Sequence, residues 1–328
     1  MKRFSLLILL SVIASFAFAD SFSVSKQEQK NMYEEAEDWI DDMPDGIQDR
    51  MSDAVSHAMR GFFKELEYFR SVSDTTGISK YPVVVKNIPG GVNHNIPMRL
   101  YKGKNVKGSS PLPLLIYFHG GGWSMGSLDT SEKFCRALAS KGNVIIISVS
   151  YPLAPEYPYP SALNLCSSAV NYIYEKAPEW GSSKNLVSLG GDGAGGNIAL
   201  TVNEKLPQNI KIKSIVLYYP LLKTSGTLNY QTRKEFGRGY GFDSRLWEAY
   251  IEAYNNKTSS GYKKMPEILL ISAGRDIVIA EAKEFSKNNN VTSVIFEGAL
   301  HGFLTDGHQK TAFEKAVVIT DQFLIYGK

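Results

Sequence analysis

Apolar positions divide the chain into two textures. From about residue 28 to 71, Met32, Trp39, Ile40, Ile47, Met51, Val55 and Met59 recur at helical spacing among many acidic residues, which predicts amphipathic helices. Met43-Pro44-Asp45-Gly46 predicts a break between two of them. Beyond residue 76 the pattern changes. Tyr81–Val85 and Ile96–Tyr101 read as strands joined by a turn at Gly90-Gly91. Short apolar runs then alternate with longer helical patterns, at 114–118, 144–149, 186–189, 212–219, 268–272 and 291–296. Runs this apolar suit strands buried on both faces. The chain therefore predicts an α/β fold, with a mostly parallel central sheet of about eight strands flanked by helices. It organises as a helical N-terminal segment, 20–75, and an α/β domain, 76–328.

The first residues follow a different rule. Met1-Lys2-Arg3 is basic, Phe4–Phe16 is almost wholly apolar, and Ala17-Phe18-Ala19 offers a small-x-small cleavage site. This layout predicts a signal peptide over 1–19 and a secreted or periplasmic mature chain beginning near Asp20. The apolar run is short for a membrane span, so no stable membrane insertion is expected after cleavage; an uncleaved anchor is the alternative.

Composition changes the picture mainly by exclusion. The 36 Lys and Arg residues against 33 Asp and Glu give a formal charge of +3 with no dense basic run, which argues against a nucleic-acid partner. Two cysteines, Cys135 and Cys166, are no disulfide framework and read as small buried apolar residues. No His and Cys cluster has metal-ligand spacing, so neither a metal nor a cofactor is expected.

Candidate chemistry sits where the runs end, because ligands in parallel sheets bind at the C-terminal ends of strands. After 114–118 comes His119-Gly120-Gly121-Gly122-Trp123, a glycine turn whose backbone N–H groups could face a developing oxyanion. After 144–149 comes Tyr151–Pro160, so rich in proline that it reads as a rigid loop, with Glu156 its one reactive group. After 186–189 comes Gly190-Gly191-Asp192-Gly193-Ala194-Gly195-Gly196-Asn197 and then a helix, the layout of a nucleophile elbow. Asp276 follows 268–272 and His301 follows 291–296, placed as an orienting acid and a general base.

HGGGW at 119–123, YPLAPEYPYPSAL at 151–163, GDGAGGN at 191–197, YYP at 218–220, the Asp276 segment and HGF at 301–303 together resemble the hormone-sensitive-lipase branch of the α/β-hydrolases, which includes bacterial acetyl esterases. The resemblance implies an α/β-hydrolase fold with a helical cap, formed by the N-terminal helices and part of 222–262. It implies oxyanion-hole N–H groups at Gly121, Gly122 and Ala194, and a catalytic pair of His301 and Asp276. Trp123, and Tyr240 and Trp247 in the cap, are expected substrate contacts.

The chain departs from the family pattern in two places. The family motif reads GDSAGG, so Gly193 occupies the serine position. The family's Asp-Pro-Leu is here Asp276-Ile277-Val278, and the second Asp that follows is replaced by Ala280. The resemblance thus implies an exported carboxylesterase-like pseudoenzyme retaining a pocket for a small-molecule ester or acylated ligand. Two alternatives stand beside it. One is a working short-chain carboxylic-ester hydrolase or deacetylase whose natural codon 193 encodes serine. The other is slow hydrolysis by a water that His301 activates.

Overall fold

The computed structural model describes residues 22–72, 78–91, 95–106, 111–224, 226–256, 262, 265–288, 290–305 and 307–327. The expected signal segment lies outside them. No helix among the described residues is long and apolar enough to cross a membrane.

Eight strands form one sheet: β1 (Val83–Gly90), β2 (Ile96–Gly103), β3 (Leu114–Phe118), β4 (Ile145–Val149), β5 (Val187–Asp192), β6 (Ser214–Tyr218), β7 (Glu267–Arg275) and β8 (Val291–Leu300). Their order is β1-β2-β4-β3-β5-β6-β7-β8. β2 runs antiparallel to β1 and β4, and every other neighbouring pair is parallel. The α/β sheet expected from the apolar runs is present. β1 differs from the expected 81–85. It runs on to Gly90, which pairs with Ile96, so the turn starts at Gly91, where φ is +76°.

Period-2 alternation explains the two cores. In β3, Leu114, Ile116 and Phe118 face one hydrophobic cluster, while Leu115 and Tyr117 face the other. The first layer contains α5 (Ser161–Lys176) and α6 (Ala194–Lys205), and the second contains α4 (Glu132–Ser140) and α10 (Lys310–Tyr326). Cys135 and Cys166 are free and buried on opposite faces, as small apolar residues. Truncating Ile116, fully buried at mid-strand, would cost about 2–5 kcal/mol.

The N-terminal segment folds as α1 (Lys26–Asp42), α2 (Ile47–Ala58) and α3 (Lys64–Ser71). A capping box starts α1: Glu28 N–H donates to Ser25 Oγ (3.1 Å), and Ser25 N–H donates to Glu28 Oε2 (2.7 Å). The expected break at 43–46 is present, and a second falls near Gly61, where φ is +92°.

Reading all of 20–75 as cap needs correcting. Most of α1 covers the free edge of β8. Glu297 N–H donates to Gln29 Oε1 (2.8 Å), and Gln29 Nε2 donates to Ile295 O (3.1 Å). One side-chain amide thus occupies edge groups that would otherwise recruit another strand. Gly298 permits this approach, since a Cβ there would lie 2.4 Å from Tyr33 N. Only the C-terminal end of α1, with α2 and α3, faces the site. α2 packs on α8 (Ser244–Tyr254), and Arg245 Nη1 pairs with Asp49 Oδ1 (2.9 Å) across that contact. The N-terminal helices and the segment between β6 and β7 therefore meet.

Candidate active site

β5 ends at Asp192, and α6 begins at Ala194. Gly193 bridges them with φ +50° and ψ −114°, outside the ordinary wells for a residue carrying a Cβ. Gly193 N–H donates to Tyr218 O (3.0 Å), and Gly193 O accepts from Leu221 N–H (2.9 Å), so both flanking peptides are pinned. A Cβ built at Gly193 would have one neighbour within 4 Å apart from its chain neighbours, His301 Nε2 at 3.5 Å.

His301 stands directly after β8, and its Nδ1–H donates to Asp276 Oδ2 (2.7 Å). Asp276, 2% exposed, follows β7 and accepts a second bond at Oδ1 from Val278 N–H (3.2 Å). Ile277 and Val278 are buried in the first core. The altered sequence after Asp276 therefore leaves the carboxylate on its histidine. Fixing Nδ1–H on a carboxylate leaves Nε2 as the basic nitrogen, directed at position 193. Two rings hold the imidazole, Phe242 at 4.3 Å and Tyr219 at 4.7 Å between centroids.

The glycine turn after β3 lies across the same opening. Gly121 N, Gly122 N and Ala194 N are the expected oxyanion donors, and the first N–H of a helix has no partner within it. Gly121, Gly122, Gly193, Ala194 and His301 line one cavity of about 430 Å³. Asp192 fixes the turn to the elbow. Its Oδ1 accepts from Tyr117 Oη (2.7 Å) and Gly120 N–H (3.0 Å), and Tyr219 Oη stands 3.5 Å from Oδ2. Burial pushes the Asp192 carboxyl above its usual range, while the Tyr117 hydrogen bond and the His301 charge pull the other way. His119 stacks on Tyr151 at 4.2 Å and donates from Nδ1 to Gly120 O (2.8 Å); burial lowers its pKa to about 4.

The cavity walls correct part of the expected binding set. Trp123, Tyr240 and Trp247 are not among its lining residues. Trp123 is fully buried and stacks on Tyr254 at 4.4 Å, Trp247 is buried in the first core, and Tyr240 packs under Arg275. The aromatic wall is instead Trp39, Tyr219, Phe242 and Tyr250. Trp247 and Tyr250 lie one turn apart on α8, and helical spacing alone does not say which reaches the glycines. Tyr250 does: a Cβ on Gly122 would fall 2.0 Å from its ring. Among the described residues, the lining holds no serine or cysteine. Ser188, just before the elbow, is buried in the sheet against Ser214 Oγ (2.8 Å).

The arrangement brings a base, an acid that orients it, and the glycine turn to one cavity. It could bind a carbonyl compound and stabilise negative charge on its oxygen.

The chain is similar to known proteins. The chain is 39% identical over 129 residues to carboxylesterase NlhH of Mycobacterium tuberculosis, a match covering 38% of this chain and 40% of the relative. It is 28% identical over 164 residues to ethyl acetate hydrolase of Pseudomonas putida, covering 49% and 51%. The chain thus spans about half or less of the length of these relatives. Among solved structures, an esterase of Pyrobaculum calidifontis superposes with a TM-score of 0.66 at 23% identity, over 83% of this chain and 92% of that one. Carboxyl esterase 2 of Tuber melanosporum superposes with a TM-score of 0.67 at 22% identity, over 84% and 98%. At such identities the superpositions speak for the fold. A family model described as the alpha/beta hydrolase fold matches residues 115–305, more than half of the chain and every element from β3 to His301. The chain belongs to the alpha/beta hydrolase fold family.

Proposed function

We propose that this protein is an exported, carboxylesterase-like α/β-hydrolase that lacks its nucleophile, and that it retains a pocket for a small ester or acylated ligand. The observation that carries this reading is the space at Gly193. A side chain there would project toward His301 Nε2, and an Oγ would fall within hydrogen-bonding reach of that nitrogen. The rest of the apparatus stands around the gap, with Asp276 on His301 and the glycine turn on Asp192.

Loss of the serine from a Ser-His-Asp triad lowers turnover about a million-fold. About a thousandfold over water survives through binding and the oxyanion amides. This chain should therefore hold esters without forming an acyl-enzyme. Export is supported by the 1–19 segment, whose three-part layout matches a cleavable signal.

Hydrolysis of p-nitrophenyl acetate and butyrate by the mature chain, by Gly193→Ser and by His301→Ala tests the reading. The native chain is expected to match His301→Ala, and Gly193→Ser is expected to exceed both by about a thousandfold or more. A native chain already far above His301→Ala would instead indicate water activated by His301. Equal, background rates in all three would refute a retained esterase site. Sequencing codon 193 in the source gene separates a natural glycine from an altered serine.

A further inference from the structure

The oxyanion turn is held from above as well as from below. Asp192 grips its start, at Gly120 N–H. Its far end closes on itself, since Ser124 and Met125 N–H both donate to Gly121 O, at 3.1 and 2.7 Å. The outward-facing carbonyl of that end, Ser124 O, accepts from Arg70 Nε at 2.8 Å. Arg70 belongs to α3, in the N-terminal segment. Its Nη2 reaches Ala154 O at 3.0 Å, and Nη1 and Nη2 grip Glu156 Oε1 and Oε2 at 2.6 and 2.8 Å. Ala154 N–H in turn donates to Trp123 O (2.8 Å), which ties the proline-rich loop to the same turn.

One guanidinium thus fastens three separate pieces of chain. It uses the planar fork that arginine has and lysine lacks. Its side chain is 17% exposed, and that of Glu156 is 31% exposed, so the pair is partly shielded from solvent. The Arg70 hydrogen bonds hold the Glu156 carboxyl below its usual range. Neither residue touches the cavity around His301. Glu156, the one reactive group in the proline-rich loop, thereby acquires a structural use.

We propose that Arg70 is a positioning residue that couples docking of the N-terminal cap to the geometry of the oxyanion amides at Gly121 and Gly122. The assignment of those amides rests on the function proposed above; the mechanical link does not. With Arg70 in place, cap and turn move together. Without it, Ser124 O and Ala154 O lose a charged donor, and the turn keeps Asp192 and the Ala154 N–H bond to Trp123 O but loses its tie to the N-terminal helices.

Two measurements test this, and they fail independently. The first is amide hydrogen exchange on the native chain and on Arg70→Ala, Arg70→Lys and Glu156→Gln. Exchange across 119–126 should rise about tenfold or more in Arg70→Ala. It should rise less in Arg70→Lys and Glu156→Gln, while α10 is unchanged. The second is steady-state hydrolysis of p-nitrophenyl butyrate in the Gly193→Ser background. Arg70→Ala should lower kcat about tenfold or more with KM within about twofold, because misplaced oxyanion donors act on the transition state. Unchanged exchange at 119–126 overturns the proposal, as does a kcat that stays constant while KM rises. If Arg70→Ala does not fold, Arg70→Lys and Glu156→Gln carry both measurements. If Gly193→Ser is inactive, the proposed function fails, and exchange alone decides the role of Arg70.

Discussion

Glycines crowd both turns at this site, but they are there for different reasons. Around the elbow and the glycine turn after β3, a Cβ would strike a neighbour: Asp192 Oδ2 at 2.2 Å from Gly120, Met125 O at 2.4 Å from Gly121, the Tyr250 ring at 2.0 Å from Gly122, and Phe118 O at 2.0 Å from Gly195. Packing forbids a side chain at these positions. At Gly193 the nearest atom beyond its chain neighbours is His301 Nε2 at 3.5 Å, an ordinary contact distance. Packing there leaves room, and the room opens onto the base. The helix, the amides and the Asp276–His301 pair frame a volume suited to a short polar side chain that this chain does not carry.

That contrast can be broken experimentally, and the largest effect should come from filling the space. Gly193→Ser should raise ester turnover about a thousandfold or more, equivalent to about 4 kcal/mol of barrier. The opposite class should respond with damage. Gly195→Ala, whose Cβ would meet the Phe118 carbonyl, should destabilise the fold by about 3 kcal/mol or more, read as a lowered denaturation midpoint or as insoluble protein. A Gly195→Ala chain as stable as the native one would void the distinction between the two kinds of glycine.

Gly193 has a backbone requirement even without a packing one. At φ +50° and ψ −114°, a residue with a Cβ carries about 1–3 kcal/mol of strain. Gly193→Ala and Gly193→Ser should therefore melt lower than the native chain while still folding. An equal or higher melting temperature would refute strain at the elbow. The glycine turn after β3 adds a pH signature. His119 has a pKa near 4 in the fold against 6.5 for the free side chain, so the folded state binds fewer protons between those values. Its contribution is fully present above about pH 6.5 and is lost as pH falls toward 4, by about 2 kcal/mol between pH 7 and 5. Denaturant titrations at the two pH values, compared with His119→Gln, read this term, which should vanish in the variant. The smallest effect is expected at Gly46, where φ is +67° and a Cβ would meet nothing within 4 Å. Gly46→Ala should cost only about 1 kcal/mol, a purely conformational penalty.

The same distinction explains how much of the molecule could be read from the chain. β3 to β7 are buried on both faces, so their runs stand out, and the elbow and Asp276 each follow one of them, while His301 follows the β8 run. What the sequence hid depends on contacts between distant segments. Gln29 looks like any exposed helical amide until β8 lies beside it. Arg70 and Glu156 are 86 residues apart, and nothing local announces their pairing. Trp123, Tyr240 and Trp247 were plausible wall residues by type, but the aromatic wall is Trp39, Tyr219, Phe242 and Tyr250. Aromatic residues serve core and cavity equally well, and only the approach of α8 to Gly122 selects Tyr250. The N-terminal segment was legible as helices but not as an edge cover, because period and composition do not encode a docking partner.

The central claim is that everything except the nucleophile's oxygen is assembled. The most direct measurement is intact-protein and peptide mass spectrometry after exposure to an alkyl fluorophosphonate, which labels a serine only when a working base and oxyanion site activate it. Gly193→Ser should gain one phosphonyl group at position 193, while the native chain and the Gly193→Ser, His301→Ala double variant should gain none. A Gly193→Ser protein that folds and stays unlabelled would contradict the account, because the base and the amides would then not converge on the space they surround.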